Sequence, residues 1–281
     1  MQRIIEQAVK RIPSEPYPEL RLVLDRFIVG VQNALKGKFL GAYLVGSLAT
    51  GDFDLDSDID FLIVTEEELT DTEVPILQAL HVEIHNLGSY PARHLEGSYI
   101  SRDSLTRTDL VGVQPLWYVD NGSTSLERSV HDNQWHVRWI LRERAIILTG
   151  PDPKALMQPV STEALRSEMQ SSIEKLRTHF VAEIDKPLGW FNTRFGQSFT
   201  VLTCCRMLHT LQSSAVRSKL AAVLWAEQSL DAEWHELIRQ AWAERKGVRF
   251  GMKVRLPADV KLLRETARFV AYAQNELSLQ R

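Results

Sequence analysis

Long apolar runs are absent. No stretch of the 281 residues approaches the ~18 consecutive apolar positions a membrane-spanning helix needs. Residues 1–13 are interrupted by Glu6 and Lys10, so they do not read as a secretory leader. Cysteine is scarce: Cys204 and Cys205 are the only two, and they are adjacent. Neighbours on a helix point about 100° apart, which makes them poor disulfide partners, and their spacing fits no zinc site. A reduced, cytoplasmic protein is the simple expectation. A strong excess of one charge is also missing. The formal net charge is −3, which speaks against a dedicated nucleic-acid binder while leaving room for a local basic patch. What remains is an ordinary globular mix, 44% hydrophobic and 25% charged, able to bury a sizeable core.

The pattern of apolar residues divides the chain. Residues 1–36 read as helical, with Leu20, Leu22, Leu24, Phe27, Ile28 and Val31 in a stripe. Residues 39–45 and 59–64 are short apolar runs that read as strands. Residues 79–85 alternate polar and apolar and predict a third strand, and residues 116–119 a fourth. A helix is expected over 131–144. The cluster Gly150-Pro151-Asp152-Pro153 is the best boundary in the chain. Beyond it, residues 161–184, 198–210, 215–227, 232–244 and 258–277 all read as helices. The expectation is an α+β chain, with a small mixed-sheet domain over 1–153 and an all-α helical-bundle domain over 154–281.

The chemistry concentrates between residues 46 and 64. The first strand ends in Gly46-Ser47. Glycine lets backbone approach a ligand closely, and serine brings a hydroxyl and an N–H to the start of a short helix it can cap, an arrangement suited to phosphate. Asp58-Ile59-Asp60 follows at the start of a strand. Strand side chains alternate, so Asp58 and Asp60 share one face while Ile59 and Phe61 face the core. Two carboxylates at that spacing, together with triphosphate oxygens, offer the hard oxygen ligands that Mg²⁺ prefers.

A third carboxylate is expected from the next strand. Over 79–85, Glu83 shares a face with His81 and His85, so it is the candidate to complete the set with Asp58 and Asp60. It would hold metal, take the proton from an attacking hydroxyl, or do both. The two histidines either line the site or are satisfied structural residues. The other aspartates, Asp52, Asp54 and Asp56, read as a solvated turn. A calcium loop starting at Asp56 fails because Phe61 stands where glycine is required.

On these residues the chain resembles the DNA polymerase β-like nucleotidyltransferases, and among them the aminoglycoside adenylyltransferases that modify streptomycin and spectinomycin. Residues 45–64 with Glu83 carry most of the resemblance. Arg142-Glu143 with Leu148-Thr-Gly150-Pro151, then Leu202-Thr-Cys-Cys-Arg206 with Lys219 and Trp225-Ala226, then Arg239-Gln240-Ala241-Trp242 follow in the family's order. The resemblance implies a nucleoside triphosphate, ATP by preference, with two Mg²⁺ ions and a small-molecule acceptor such as an aminoglycoside or aminocyclitol. It implies that Gly46 and Ser47 contact the triphosphate and that Asp58, Asp60 and Glu83 hold the metal, with Glu83 as base. It places Arg206, Lys219 and an aromatic shelf at Trp242 near the nucleotide. Asn133 falls where the family has an aspartate, with Asp132 adjacent. Trp117 and Trp190 are candidates to stack on the acceptor. Where the family supplies acids before the helix carrying Arg206, residues 186–198 contain no acid and two bases, Lys186 and Arg194.

Two alternatives stay open. The basic run Arg245, Lys246, Arg249, Lys253, Arg255, Lys261, Arg264 and Arg268 would suit transfer to RNA or another macromolecule. A non-catalytic nucleotide sensor is the third reading, and the intact Asp58, Asp60 and Glu83 weigh against it.

Overall fold

The computed structural model describes residues 18–186, 189–245 and 256–279. Residues 1–17 of the helical stretch expected over 1–36, and Lys246, Arg249, Lys253 and Arg255 of the basic run, lie outside the described residues. The chain forms two compact units, residues 1–160 and 161–281.

The first unit is built on a six-stranded mixed sheet. Helix α1 (Leu20–Leu35) buries Leu20, Val23, Leu24, Phe27, Ile28, Val31 and Leu35, a three-and-four spacing that gives one apolar face. Strand β1 (Phe39–Leu44) leads through the short helix α2 (Gly46–Thr50) into β2 (Ile59–Thr65), which pairs antiparallel with β1. Two helices, α3 (Glu73–His85) and α4 (Tyr90–Arg93), then carry the chain to β3 (Leu95–Ser101). A parallel pair needs such a crossover, and β3 pairs parallel with β2. After α5 (Arg102–Thr106), strands β4 (Leu116–Val119) and β5 (Leu126–Ser129) extend that edge antiparallel. Helix α6 (Trp135–Arg144) precedes β6 (Ile146–Thr149), which closes the other edge on β1. The strand order is β5-β4-β3-β2-β1-β6.

One face of this sheet is covered by α1 and α3. Ile59, Phe61 and Ile63 of β2, Tyr99 of β3 and Val119 of β4 pack there with Phe27, Leu77 and Ile84. At its centre the Phe27 and Phe61 rings lie 4.7 Å apart, and His81 stacks 5.8 Å from Phe61. Alternation therefore sends Asp60 to the opposite face.

Residues 79–85 correct the sequence reading, because they form the last two turns of α3. The alternation in that stretch is real, but Val74, Leu77, His81 and Ile84 show a helical period over a longer window, and Leu77, His81 and Ile84 are the buried positions. The strand expected there is β3, which begins ten residues after His85.

The second unit is all helical. Helices α7 (Thr162–Glu183), α8 (Arg194–Ser213), α9 (Lys219–Ser229), α10 (His235–Arg245) and α11 (Val260–Leu279) enclose a core of Val201, Cys204, Cys205, Ala222, Ile238 and Phe269, among others. Ser161, Thr193 and Ser218 each accept a backbone N–H as N-caps, fixing where α7, α8 and α9 start. Both cysteines are buried and reduced, and burial pushes both thiols up. The expected class, a small mixed-sheet unit followed by an all-helical unit, is what the chain adopts. Among the described residues no helix is long and apolar enough to cross a membrane.

Candidate active site

The turn from β1 into α2 sets the site. Gly46 adopts φ +57°, and a Cβ placed there would stand 1.8 Å from Asp60 Oδ2. The Val45 N–H donates to the Asp60 carbonyl at 3.0 Å. Glycine is thus required twice, for its left-handed backbone and for the carboxylate lying against it. Ser47 does not cap α2 as the sequence suggested. Val45 occupies the cap position, and the Ser47 hydroxyl oxygen is buried with no hydrogen-bond partner. An orphaned buried hydroxyl is costly unless a ligand engages it, so this residue fits a phosphate contact.

The third carboxylate is Glu96, which the sequence reading missed. In the parallel β2–β3 pair Asp60 lies in register with Glu96. Burial, then the negative charge of Asp60 and more weakly of Asp58 and Asp132, pushes Glu96 up to about 8, against an opposing hydrogen bond from Tyr118. That hydroxyl donates to Glu96 Oε1 at 2.6 Å. Asp58 accepts from the Asn121 amide at 2.6 Å, and Asp132 accepts from Ser98 Oγ at 2.7 Å. Burial raises the Asp132 carboxyl too, opposed by His131, His136 and the Ser98 bond. Four acids therefore crowd one face of the sheet. The signal in the sequence was the run Leu95-Glu96-Gly-Ser-Tyr-Ile-Ser, an acid at the mouth of a β-rich segment, like Asp60 in its own strand.

Glu83 is excluded from this cluster. It is exposed on α3, and α3 packs on the Phe61 face of the sheet while Asp60 points to the other. His81 is a structural histidine. It is buried, hydrogen-bonded through Nε2 to the Tyr99 hydroxyl at 2.9 Å, and depressed by burial to about 4. His85 is the last residue of α3. Trp117 also faces the helix-covered side, packed on that core with Arg128 5.1 Å from its ring, so it does not share the carboxylate face. Asn133 is fully buried and its amide is committed to structure. Nδ2 donates to the Leu110 and Gln114 carbonyls at 2.8 and 2.9 Å, and Oδ1 accepts from Arg138 at 2.9 Å. Asp132, its neighbour, is the acid that reaches the cluster.

The remaining candidates belong to the helical unit. Arg206 lies on α8, Lys219 opens α9, and Trp242 of α10 packs on the helical core with Arg245 5.2 Å from its ring. Trp190 is 38% exposed and meets Phe191, Phe195 and Phe199 edge-on at 4.9, 5.7 and 5.2 Å. Within the basic run, Lys261 pairs with Glu265 at 4.0 Å and Arg268 with Glu233 at 2.7 Å, so part of it is neutralised internally.

Mg²⁺ fits the donor set. Among the described residues no three metal-ligating side chains form a ready-made cage. Mg²⁺, however, is commonly held by one or two carboxylates with substrate phosphates supplying the rest. Burial and the charges of Asp60, Asp58 and Asp132 raise Glu96, and a cation held beside these carboxylates would relieve that repulsion.

These shifts set a pH window for stability. Glu96 holds its proton more tightly folded than unfolded, so its contribution is complete below its ordinary value of 4.5 and lost as pH rises through about 8. His81 acts oppositely: its contribution is present above 6.5 and lost as pH falls through about 4. At ~1.4 kcal/mol per pKa unit each effect is of the order of a few kcal/mol. The two slopes offset each other between pH 4.5 and 6.5, so urea midpoints of the metal-free protein should peak there and decline on either side, and Glu96→Gln should flatten the decline on the alkaline side. An unchanged alkaline slope in that variant would contradict the burial assigned to Glu96.

Comparison with known proteins agrees with this geometry. Residues 31–108, which contain Gly46, Asp58, Asp60 and Glu96, match the nucleotidyltransferase domain family, and residues 155–273 match the C-terminal domain of aminoglycoside adenylyltransferases. The chain is 25% identical to a spectinomycin 9-adenylyltransferase of Staphylococcus aureus over 248 residues, 85% of this chain and 86% of the relative. It is 23% identical to one of Campylobacter jejuni over 225 residues, 78% and 82% of the two chains. Its fold is shared with a spectinomycin adenyltransferase from Enterococcus faecialis, solved with ATP and spectinomycin. The TM-score is 0.65 at 18% identity, covering 91% of this chain and 98% of that one. A nucleotidyltransferase domain followed by the helical domain of this family makes the chain a nucleotidyltransferase enzyme, aminoglycoside adenylyltransferase-like.

Proposed function

We propose that the protein transfers AMP from ATP to a hydroxyl of a small aminocyclitol or aminoglycoside, with Mg²⁺. The observation that carries this reading is the packing of Gly46 on Asp60 with Glu96 in register beside it. A glycine turn suited to phosphate and two acids, Asp60 and Glu96, thus lie together on one patch of sheet, which supports the reading.

Asp58 and Asp60 are the residues to hold Mg²⁺, which would neutralise charge on the triphosphate as pyrophosphate leaves. Gly46 and the Ser47 hydroxyl receive the phosphates. Glu96, in the role first expected of Glu83, takes the proton of the attacking hydroxyl. The family resemblance gives Lys219, Arg206 and Trp242 to the nucleotide, and Trp190, an exposed aromatic, is the candidate to stack on the acceptor. The relatives named for spectinomycin support an aminocyclitol acceptor.

The test is pyrophosphate release from Mg-ATP against a panel of aminoglycosides and aminocyclitols including spectinomycin, with product mass. Release that depends on one compound, chelator-sensitive and giving a product heavier by one AMP, is expected. Pyrophosphate release that continues unchanged in chelator, or a product lacking AMP, would overturn the reading.

A further inference from the structure

Tyr118 sits between two carboxylates. Its hydroxyl oxygen lies 2.6 Å from Glu96 Oε1 and 2.9 Å from Asp120 Oδ1. A phenol has one proton, so it donates to only one of them at a time and keeps its lone pairs for accepting. The ring is buried, with 4% of its surface exposed, whereas Asp120 is at the surface. Asp120 is held by the Asn121 N–H at 3.0 Å, and the Asn121 amide in turn grips Asp58 at 2.6 Å. The turn after β4 therefore links the buried acid to solvent through one hydroxyl.

Resting on the assignment of Glu96 as base, we propose that Tyr118 and Asp120 are positioning residues forming the exit for the proton Glu96 removes. While Glu96 is an anion, Tyr118 donates to it and fixes its rotamer. When the acceptor O–H breaks and its proton forms an O–H on Glu96, the direction reverses. Glu96 then donates to the phenol oxygen, and the phenol proton turns to Asp120. Transfer along both bonds returns Glu96 to the anion, leaves Tyr118 neutral and delivers one proton to a solvent-exposed carboxylate. Atoms and charge balance with no further reactant. Burial and the Glu96 bond hold the phenol far above its ordinary range, so Tyr118 stays a hydroxyl throughout. The groups facing Glu96 are Asp58, Asp60, Asp132, Tyr118 and His131. His131 Nε2 lies 3.6 Å from Glu96 Oε1, beyond good hydrogen-bond distance, so it is the poorer exit.

Tyr118→Phe removes only the hydroxyl. With Mg-ATP and spectinomycin as the probe acceptor, kcat should fall ~10-fold or more while KM for ATP stays within ~2-fold. Added imidazole should restore part of the loss by accepting the proton directly. Asp120→Asn, at the surface, should lower kcat about fivefold, and His131→Gln should leave it unchanged. An independent readout needs no acceptor: the Glu96 carboxyl stretch, isolated as the infrared difference between wild type and Glu96→Gln. It should move to higher frequency in Tyr118→Phe as its hydrogen bond is lost. An unmoved band overturns the proposal whether or not spectinomycin is turned over. So does a Tyr118→Phe kcat within twofold of wild type, or a loss seen in His131→Gln and not in Asp120→Asn. Turnover surviving in Glu96→Gln would sink the base assignment itself. An inactive Glu96→Gln beside an unaffected Tyr118→Phe would sink the relay alone.

Discussion

Replacing Glu96 by Gln is expected to cut turnover by ~10²–10⁴-fold, the usual worth of a positioned general base, with ATP binding preserved. Glu83→Gln should leave turnover within ~2-fold. The contrast is sharp because the two glutamates sit on opposite sides of one sheet. Glu96 lies in register with Asp60 and is raised by its acidic neighbours, whereas Glu83 is exposed on the helix that packs behind Phe61. The amide keeps the size of the side chain and can still accept the Tyr118 bond through its oxygen, so folding should be retained. Steady-state kinetics of both variants, with nucleotide binding measured by calorimetry, decides the matter. A Glu96→Gln enzyme of near wild-type kcat would remove the proton-transfer role from this residue.

Gly46→Ala is the second large effect. An alanine there meets a left-handed backbone, roughly 1–2 kcal/mol unfavourable for an L-residue, and its methyl would occupy the space of the Asp60 carboxylate 1.8 Å away. Asp60 must rotate or the turn must open, and either displaces a proposed metal ligand by the order of 1 Å. Misplacement of that size costs about 10²-fold in rate. The expected result is a loss of ~10²-fold or more in kcat, accompanied by a fall in urea midpoint. By contrast, Gly37→Ala, where an added Cβ meets nothing within 4 Å, should change neither. Full activity in Gly46→Ala would mean that Asp60 is not held where the chemistry needs it.

Most of the architecture was legible because periodicity is local. Five helices of the second unit and strands β1, β2 and β4 follow from apolar spacing within ten to twenty residues. The proposed metal-binding pair was legible for the same reason, since Asp58 immediately precedes β2 and Asp60 lies two positions on, so that alternation puts them together. What the sequence hid is what depends on pairing. Residues 79–85 alternate well enough to pass for a strand, and only the window reaching back to Val74 reveals the helix. That misreading moved the third acid from Glu96 to Glu83 and to the wrong side of the sheet. Trp117 was hidden likewise, since which face of β4 meets the helices depends on its register with β3. Asn133 looked like a ligand because its position matched an acid in the family. Its two carbonyl acceptors lie 23 and 19 residues away in sequence and are invisible without the fold. Tyr118 carried no signal at all as an isolated aromatic. Its significance comes from the two carboxylates that the antiparallel β3–β4 pair and the following turn bring to its hydroxyl.

The placement of the two cysteines has a practical consequence. Both lie in the core of the helical unit, and the sheet unit has none. An alkylating reagent added to the native protein should therefore modify nothing until α8 separates from its neighbours. Its rate then becomes a clock for the opening of residues 161–281 alone, blind to fluctuations of the nucleotidyltransferase unit. Running that clock with and without Mg-ATP would report whether the nucleotide stabilises the helical unit, using the wild-type chain and no introduced label.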